Sequence, residues 1–196
     1  MTHSNLIALA ITVASLSGCS LLQPAEKTVD AKVLEETRAV AGQLTTQLGG
    51  RLKAELTANG PESAIAVCKQ AAPEIAGKLS AEKNWQVGRV GTRLRNAANA
   101  PNGWQLEALK QFSERLAKGE KPDAMEFTQV EKDGGKHYLR YAKAIVLQPM
   151  CVTCHGASEN IPDGVKARLK QEYPNDQATG YLPGDLRGAI VIRRPL

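Results

Sequence analysis

Aromatic residues are scarce in this 196-residue chain: two Phe, two Trp and four Tyr make up 4% of it. A domain of this length can bury a real core, yet the rings that usually supply most of its bulk are few. An apolar prosthetic group would make up the difference. Histidine numbers three and cysteine four, with no clustering of the kind a metal tract or a disulfide framework needs. Lys and Arg exceed Asp and Glu, giving a formal charge of +5, but the basic residues are dispersed rather than blocked. Nucleic acid is therefore not expected as a partner. Internal repeats, a phosphate loop, a nucleophile motif and paired carboxylates suited to acid–base work are all missing. No apolar run reaches the ~20 residues of a membrane-spanning helix.

One shorter run is present. Leu6 to Leu16 is uncharged and apolar, and Leu16-Ser17-Gly18-Cys19 follows it, although Met1 to Asn5 carry no Lys or Arg. The run has the length of a signal-peptide core, and the tetrapeptide resembles the lipobox of bacterial lipoproteins. The chain then divides into a signal peptide (1–18), a lipidated tether (19–29) and a domain (30–196). This predicts export and anchoring in the bacterial periplasm through lipid on Cys19. Ser20, rather than Asp, leans toward the outer membrane.

Cys151-Val152-Thr153-Cys154-His155 carries the chemistry. Two thiols on one short turn can each add across a vinyl group of one porphyrin, and the adjacent imidazole then falls under the iron. The spacing predicts one covalent haem c on Cys151 and Cys154, with His155 as proximal ligand. A zinc half-site would need a second Cys/His pair, and His3 and His137 stand alone. A thioredoxin-like Cys-x-x-Cys requires no neighbouring histidine. With Cys19 assigned to lipid, Cys68 is left over, and an exported thiol tends to oxidise unless it is buried or ligated. Three residues are candidates for the far side of the iron: Cys68 on a helix face, and Met125 and His137 on a hairpin. Arg89, Arg93, Arg95 and Arg187 are candidates for propionate contacts, since guanidinium forks suit carboxylates; a solvated strand face is the competing reading.

The patterning predicts helices, then an antiparallel sheet with helical excursions. Val40, Leu44, Leu48, Leu52 and Leu56 form one helical stripe between Asp30 and Leu56, with a kink or break expected at Gly49-Gly50. Asn59-Gly60-Pro61 ends it. Ile65, Cys68, Ala72, Ile75 and Leu79 form a second stripe, with Pro73 expected to kink or split its helix. Further on, Trp85–Arg95 reads as a strand and Gly103–Leu116 as a helix. Met125–Glu131 and His137–Leu147 read as a hairpin around Asp133-Gly134-Gly135. Asp163–Glu172 reads as a helix and Gly188–Arg194 as a closing strand. The class is α+β.

Several segments together resemble one family, the PAS-like c-type haem domains long catalogued as a bacterial domain of unknown function. They are Ala64-Ile65-Ala66-Val67-Cys68 with Ala72-Pro73, Trp85 to Val90, Arg95-Asn96, Asn99 to Asn102 with Trp104, Cys151 to Gly156, and Gly184 to Ala189. The order is kept across nearly the whole mature chain. The resemblance implies a PAS-like antiparallel sheet with flanking N-terminal helices and one covalent haem. It also implies His155 on one face of the iron and Cys68, the position matching the family's cysteine, on the other. The function expected is redox sensing or electron transfer with an unknown redox or signalling partner, rather than catalysis. The alternatives are a sensor of nitric oxide or carbon monoxide that displaces the thiolate, and a peroxidase-like enzyme.

Anchoring is open to a direct check. One acyl chain binds membranes marginally and two bind them stably, so a multiply acylated Cys19 holds the wild-type protein in the membrane fraction. Cys19→Ser is expected in the soluble periplasmic fraction with its cofactor intact. Wild-type protein that is processed yet freely soluble would show that Cys19 carries no anchor.

Overall fold

The computed structural model describes residues 29–196; the expected signal peptide, Cys19 and the tether up to residue 28 lie outside the described residues. Asp30 opens the first helix. Its carboxylate accepts the N–H of Lys32 at 2.8 Å and of Val33 at 3.2 Å, satisfying donors that a helix start leaves unpaired. Helix α1 (Ala31–Ala66) runs through Gly49-Gly50 without the expected kink, and its one non-helical residue is Gly60 (φ 81°, ψ 178°). A glycine costs a helix about 1 kcal/mol, a penalty that a helix of this length absorbs without breaking. At Gly60 the chain bends, and Pro61 restarts the helix where its fixed φ is suited to a first turn.

The disturbance expected at Pro73 takes an unusual form. Proline has no N–H to give to the carbonyl four residues back, and its ring crowds that carbonyl. Ahead of it, Val67–Ala71 forms a π-turn in which the N–H of Ala72 reaches back to Val67. Helix α2 (Ala72–Lys83) then begins with Pro73 in its first turn. The extra residue of such a turn alters which side chains face inward, and Cys68 sits on it.

Strands β1 (Gln86–Gly91), β2 (Glu126–Asp133), β3 (Lys136–Val146) and β4 (Leu186–Pro195) form one antiparallel sheet in the order β1-β4-β3-β2. The hairpin turns on Gly134 and Gly135 (φ 55° and 79°), the pair of positive φ angles a two-residue loop demands. Between the strands, helix α3 (Gly103–Ala117) starts from a reciprocal capping box of Asn102 and Gln105. A short helix, α4 (Val152–His155), carries the Cys-x-x-Cys-His motif, and α5 (Asp163–Glu172) follows. Antiparallel sheet and flanking helices give the α+β class that the order of elements implies. Among the described residues no helix is long and apolar enough to cross a membrane.

The sheet is covered on both faces. Val40, Ala41 and Leu44 of α1 and Leu79 of α2 bury against Leu139, Tyr141, Ile190 and Ile192. Ala108, Leu109 and Phe112 of α3 bury against Met125, Phe127, Ala142, Ala189 and Val191 on the opposite face. Central β4 is thus buried on both sides, which is why Ala189-Ile190-Val191-Ile192 reads as an unbroken apolar run. Strand β1 is shorter than the predicted Trp85–Arg95, because residues beyond Gly91 leave the sheet. A register irregularity between Ile145 and Val146 likewise ends the regular pairing of β3 with β4, and bulges of this kind redirect a strand.

Gly188 lies where β4 presses against β1: a Cβ there would stand 2.0 Å from the carbonyl oxygen of Val90. Gly188→Ala is expected to destabilise the domain by about 3 kcal/mol, the upper range for overpacking. Gly42, exposed on α1 with open space around its Cα, provides the control, since Gly42→Ala should stabilise by up to about 1 kcal/mol. Thermal unfolding followed by circular dichroism reads both, and an unchanged midpoint for Gly188→Ala would refute the close-approach argument.

Candidate functional site

Below the part of α1 that builds the core, the same stripe lines a cavity. Leu48, Leu52 and Leu56 form one wall, Ala64, Ile65 and Cys68 a second, and Ile145, Val146 and Leu147 a third. Cys151, Cys154 and His155 close it from the motif side, Arg89 and Arg187 enter from the sheet, and Arg95 enters from the loop after β1. Its mostly apolar lining and its open mouth suit an organic ligand rather than an ion. Among the described residues no three His, Cys, Asp or Glu side chains converge closely enough to hold a bare metal ion. The three free thiols and the imidazole therefore surround a space and do not meet at a point.

The state of His155 follows from its two neighbours. Its Nδ1 lies 2.7 Å from the carbonyl oxygen of Ala178, which can only accept, so Nδ1 carries the proton. Its Nε2 lies 3.4 Å from Nη1 of Arg95, which can only donate, so Nε2 holds the lone pair. Arg95 lines the cavity, and the lone pair is thus directed toward it. Burial, with the charges of Arg95 and Arg187 behind it, pushes the imidazole pKa down to about 3. The ring is neutral at any physiological pH, as a metal ligand must be.

The motif is held in place by two neighbouring segments. Residues 176–181 run beside it: the N–H of Tyr181 donates to the His155 carbonyl at 3.0 Å and that of Gly180 to the Gly156 carbonyl at 2.7 Å. Gly156 is required where the motif ends, since a Cβ there would lie 2.6 Å from the Val152 carbonyl oxygen. From the other side, Arg95 donates Nη2 to the Cys154 carbonyl and pairs with Asp176 at 2.9 Å.

Burial raises the pKa of both inner thiols, Cys154 to about 11, and the nearby arginine charges oppose the effect. Burial also lowers the pKa of Arg89 and of Arg187. Among the described residues neither of these guanidiniums has an ion-pair partner. Two partly buried cations facing an apolar cavity are suited to the acid groups of an otherwise apolar ligand.

The cavity thus collects Cys68, Cys151, Cys154, His155, Arg89, Arg95 and Arg187. It leaves out Arg93, whose guanidinium lies 3.9 Å over the ring of Tyr181 and donates to the Thr179 carbonyl. It also leaves out two candidates for the far side of an iron. Met125 is wholly buried beneath α3, and His137 sits at the outer end of β3, opposite Lys132. Several functional positions had no signal in sequence: the lower leucines of α1 as a cavity wall, the π-turn under Cys68, and Asp176 with Ala178. For Asp176 a weak cue exists, because Asp commonly accepts the N–H two residues on, and its Oδ1 takes the Ala178 N–H at 2.8 Å.

These residues fit the group their sequence implies. Two thiols stand on one turn, a neutral imidazole offers its lone pair, a third thiol comes from another element, and apolar walls adjoin two free cations.

Comparison with known proteins agrees with the architecture. The sequence matches the Tll0287-like family (Tll0287) over residues 23–195. The crystal structure of the cyanobacterial heme-protein Tll0287 superposes with a TM-score of 0.66 at 27% identity, covering 85% of this chain and 97% of that one. No curated protein sequence matches. Spanning nearly all of the domain, the match shows that the chain belongs to the Tll0287-like family.

Proposed function

We propose that this protein is a monohaem c-type haemoprotein of redox sensing or electron transfer, held at the periplasmic side of a bacterial membrane by lipid on Cys19. One observation carries the reading: a single apolar cavity gathers Cys68, Cys151, Cys154 and His155 from two distant parts of the chain. The solved relative is itself described as a heme-protein.

In this reading Cys151 and Cys154 hold the group covalently, so it stays with the protein in either oxidation state. His155 would present Nε2 from the motif side, and Cys68 its sulfur from the π-turn. Leu48, Leu52 and Leu56 exclude water from one side, and Arg89 and Arg187 neutralise the propionates. When bound, the haem iron supplies a one-electron couple. A haem held by His155 and Cys68 would have no coordination site open for a substrate, which favours a redox or sensory role over an enzymatic one. An anionic thiolate favours the ferric state, so the potential is low compared with a thioether-ligated cytochrome. The partner is a redox or signalling protein of the same compartment.

Two measurements test this. Protein matured with covalent haem keeps its colour in the polypeptide phase after acid–acetone extraction, whereas changing Cys151 and Cys154 together to Ser releases it. Colour that extracts from wild-type protein would refute attachment. Cys68→Ala should turn ferric iron from low-spin to high-spin, or recruit another ligand, and should raise the potential while the haem stays attached. An unchanged ferric absorption and EPR spectrum would return Cys68 to the class of ordinary buried thiols. Rapid carbon monoxide binding by ferrous wild-type protein would point instead to gas sensing through a displaceable thiolate.

A further inference from the structure

We propose that Asp176 is a positioning residue for His155, fixing how strongly the imidazole donates and so the redox poise of the site. The inference rests on the haem reading above and deepens it, since nothing in the motif itself points to Asp176.

Asp176 and Arg95 form an ion pair whose side chains are only 12% and 7% exposed. Burying two charges is costly, and an apolar pair of the same volume often stabilises a fold better. Stability alone is therefore a poor reason for this pair, and its connections supply a better one. Arg95 gives Nε to Asp176 Oδ2 at 3.0 Å. The other carboxylate oxygen, Oδ1, accepts the N–H of Ala178 at 2.8 Å. Ala178 in turn offers its carbonyl to Nδ1–H of His155 at 2.7 Å. Asp176 is also tied through its own N–H to the Tyr173 carbonyl at 3.0 Å. The carboxylate thus clamps the short backbone segment from which the imidazole takes its hydrogen bond.

That bond matters because the partner of a ligand's second ring nitrogen sets its tautomer, its orientation and its basicity. A short Nδ1–H···O=C bond makes Nε2 a stronger donor and favours the ferric state. If Ala178 is loosened, the bond lengthens, the donor weakens and the potential rises. Arg95 serves as counter-ion. Its Nε and Nη2 are occupied by Asp176 and by the carbonyls of Cys154 and Ala178, and its Nη1 faces His155, so it acts on the motif and leaves the propionates to Arg89 and Arg187.

The test uses the full-length protein with covalent haem. Asp176→Ala should shift the ferric EPR g-values and reduce the preference for ferric iron about tenfold, a rise of about 59 mV for a one-electron couple. Asp176→Asn, which retains an acceptor for the Ala178 N–H but not the charge that holds Arg95, should rise by less. Arg193→Gln breaks pairs with Glu131 and Asp133 on the sheet and should lower stability while leaving both readouts unmoved. Wild-type g-values and potential in Asp176→Ala would overturn the inference; should that variant fail to fold, the same result in Asp176→Asn would do so. Failure of the haem reading itself looks different, because colour would then extract from the wild-type protein and this inference would fall with it.

Discussion

The imidazole of His155 lies between a carbonyl that can only accept and a guanidinium that can only donate, and much of the surrounding structure serves to keep it there. For Arg95 to arrive, the chain after β1 has to leave the sheet early. For the Ala178 carbonyl to arrive, residues 176–181 have to run alongside the motif, pinned by Asp176 at one end and by the Gly180 and Tyr181 amides at the other. A solvent-exposed imidazole would exchange tautomers and take up a proton near its ordinary pKa. Here burial removes the second option and the two fixed neighbours remove the first. The ring is thereby held neutral and in one tautomer.

The apolar content of the chain is divided in a way that agrees with such a role. A single stripe on α1 meets two different fates. Its first turns, at Val40 and Leu44, close over the sheet and build the core. Its later turns, at Leu48, Leu52 and Leu56, are only half-buried among the described residues and line the cavity. A chain with so few aromatic rings does not fill that volume from its own side chains. The free energy still to be gained by covering those leucines is available to an apolar group, and Arg89 and Arg187 at the sheet side supply what its acidic edge would need.

The local signals in the sequence were read well where one residue type dictates one geometry. The Gly134-Gly135 turn, the Gly103 start of α3, the extent of α5 and the Gly60-Pro61 break all appear where expected. Local signals mislead where the outcome depends on neighbours. Gly49-Gly50 suggests a kink, yet the helix continues through both residues and bends only at Gly60. Met125 on a hairpin was open as a ligand, but the strand's facing turns it under α3. The arginines of the predicted strand Trp85–Arg95 seemed equivalent, yet Arg89 enters the cavity from the sheet, Arg93 stacks on Tyr181 and Arg95 bonds the motif.

By itself the sequence determined which chemistry is possible, because thiol–thiol–imidazole spacing is set within five residues and cannot be altered by what folds around it. It also determined the class of fold, through the period of its apolar residues and its turn chemistry. Only the tertiary structure decided which side chains share the site. Cys68 lies more than eighty residues before the motif, and Asp176 more than twenty after it. Their arrival depends on a π-turn induced by Pro73, on sheet order and on the path of a loop, none of which leaves a periodic trace along the chain. Backbone preference acts over a few residues. The meeting of distant side chains is settled by packing, where many small contacts choose one arrangement together.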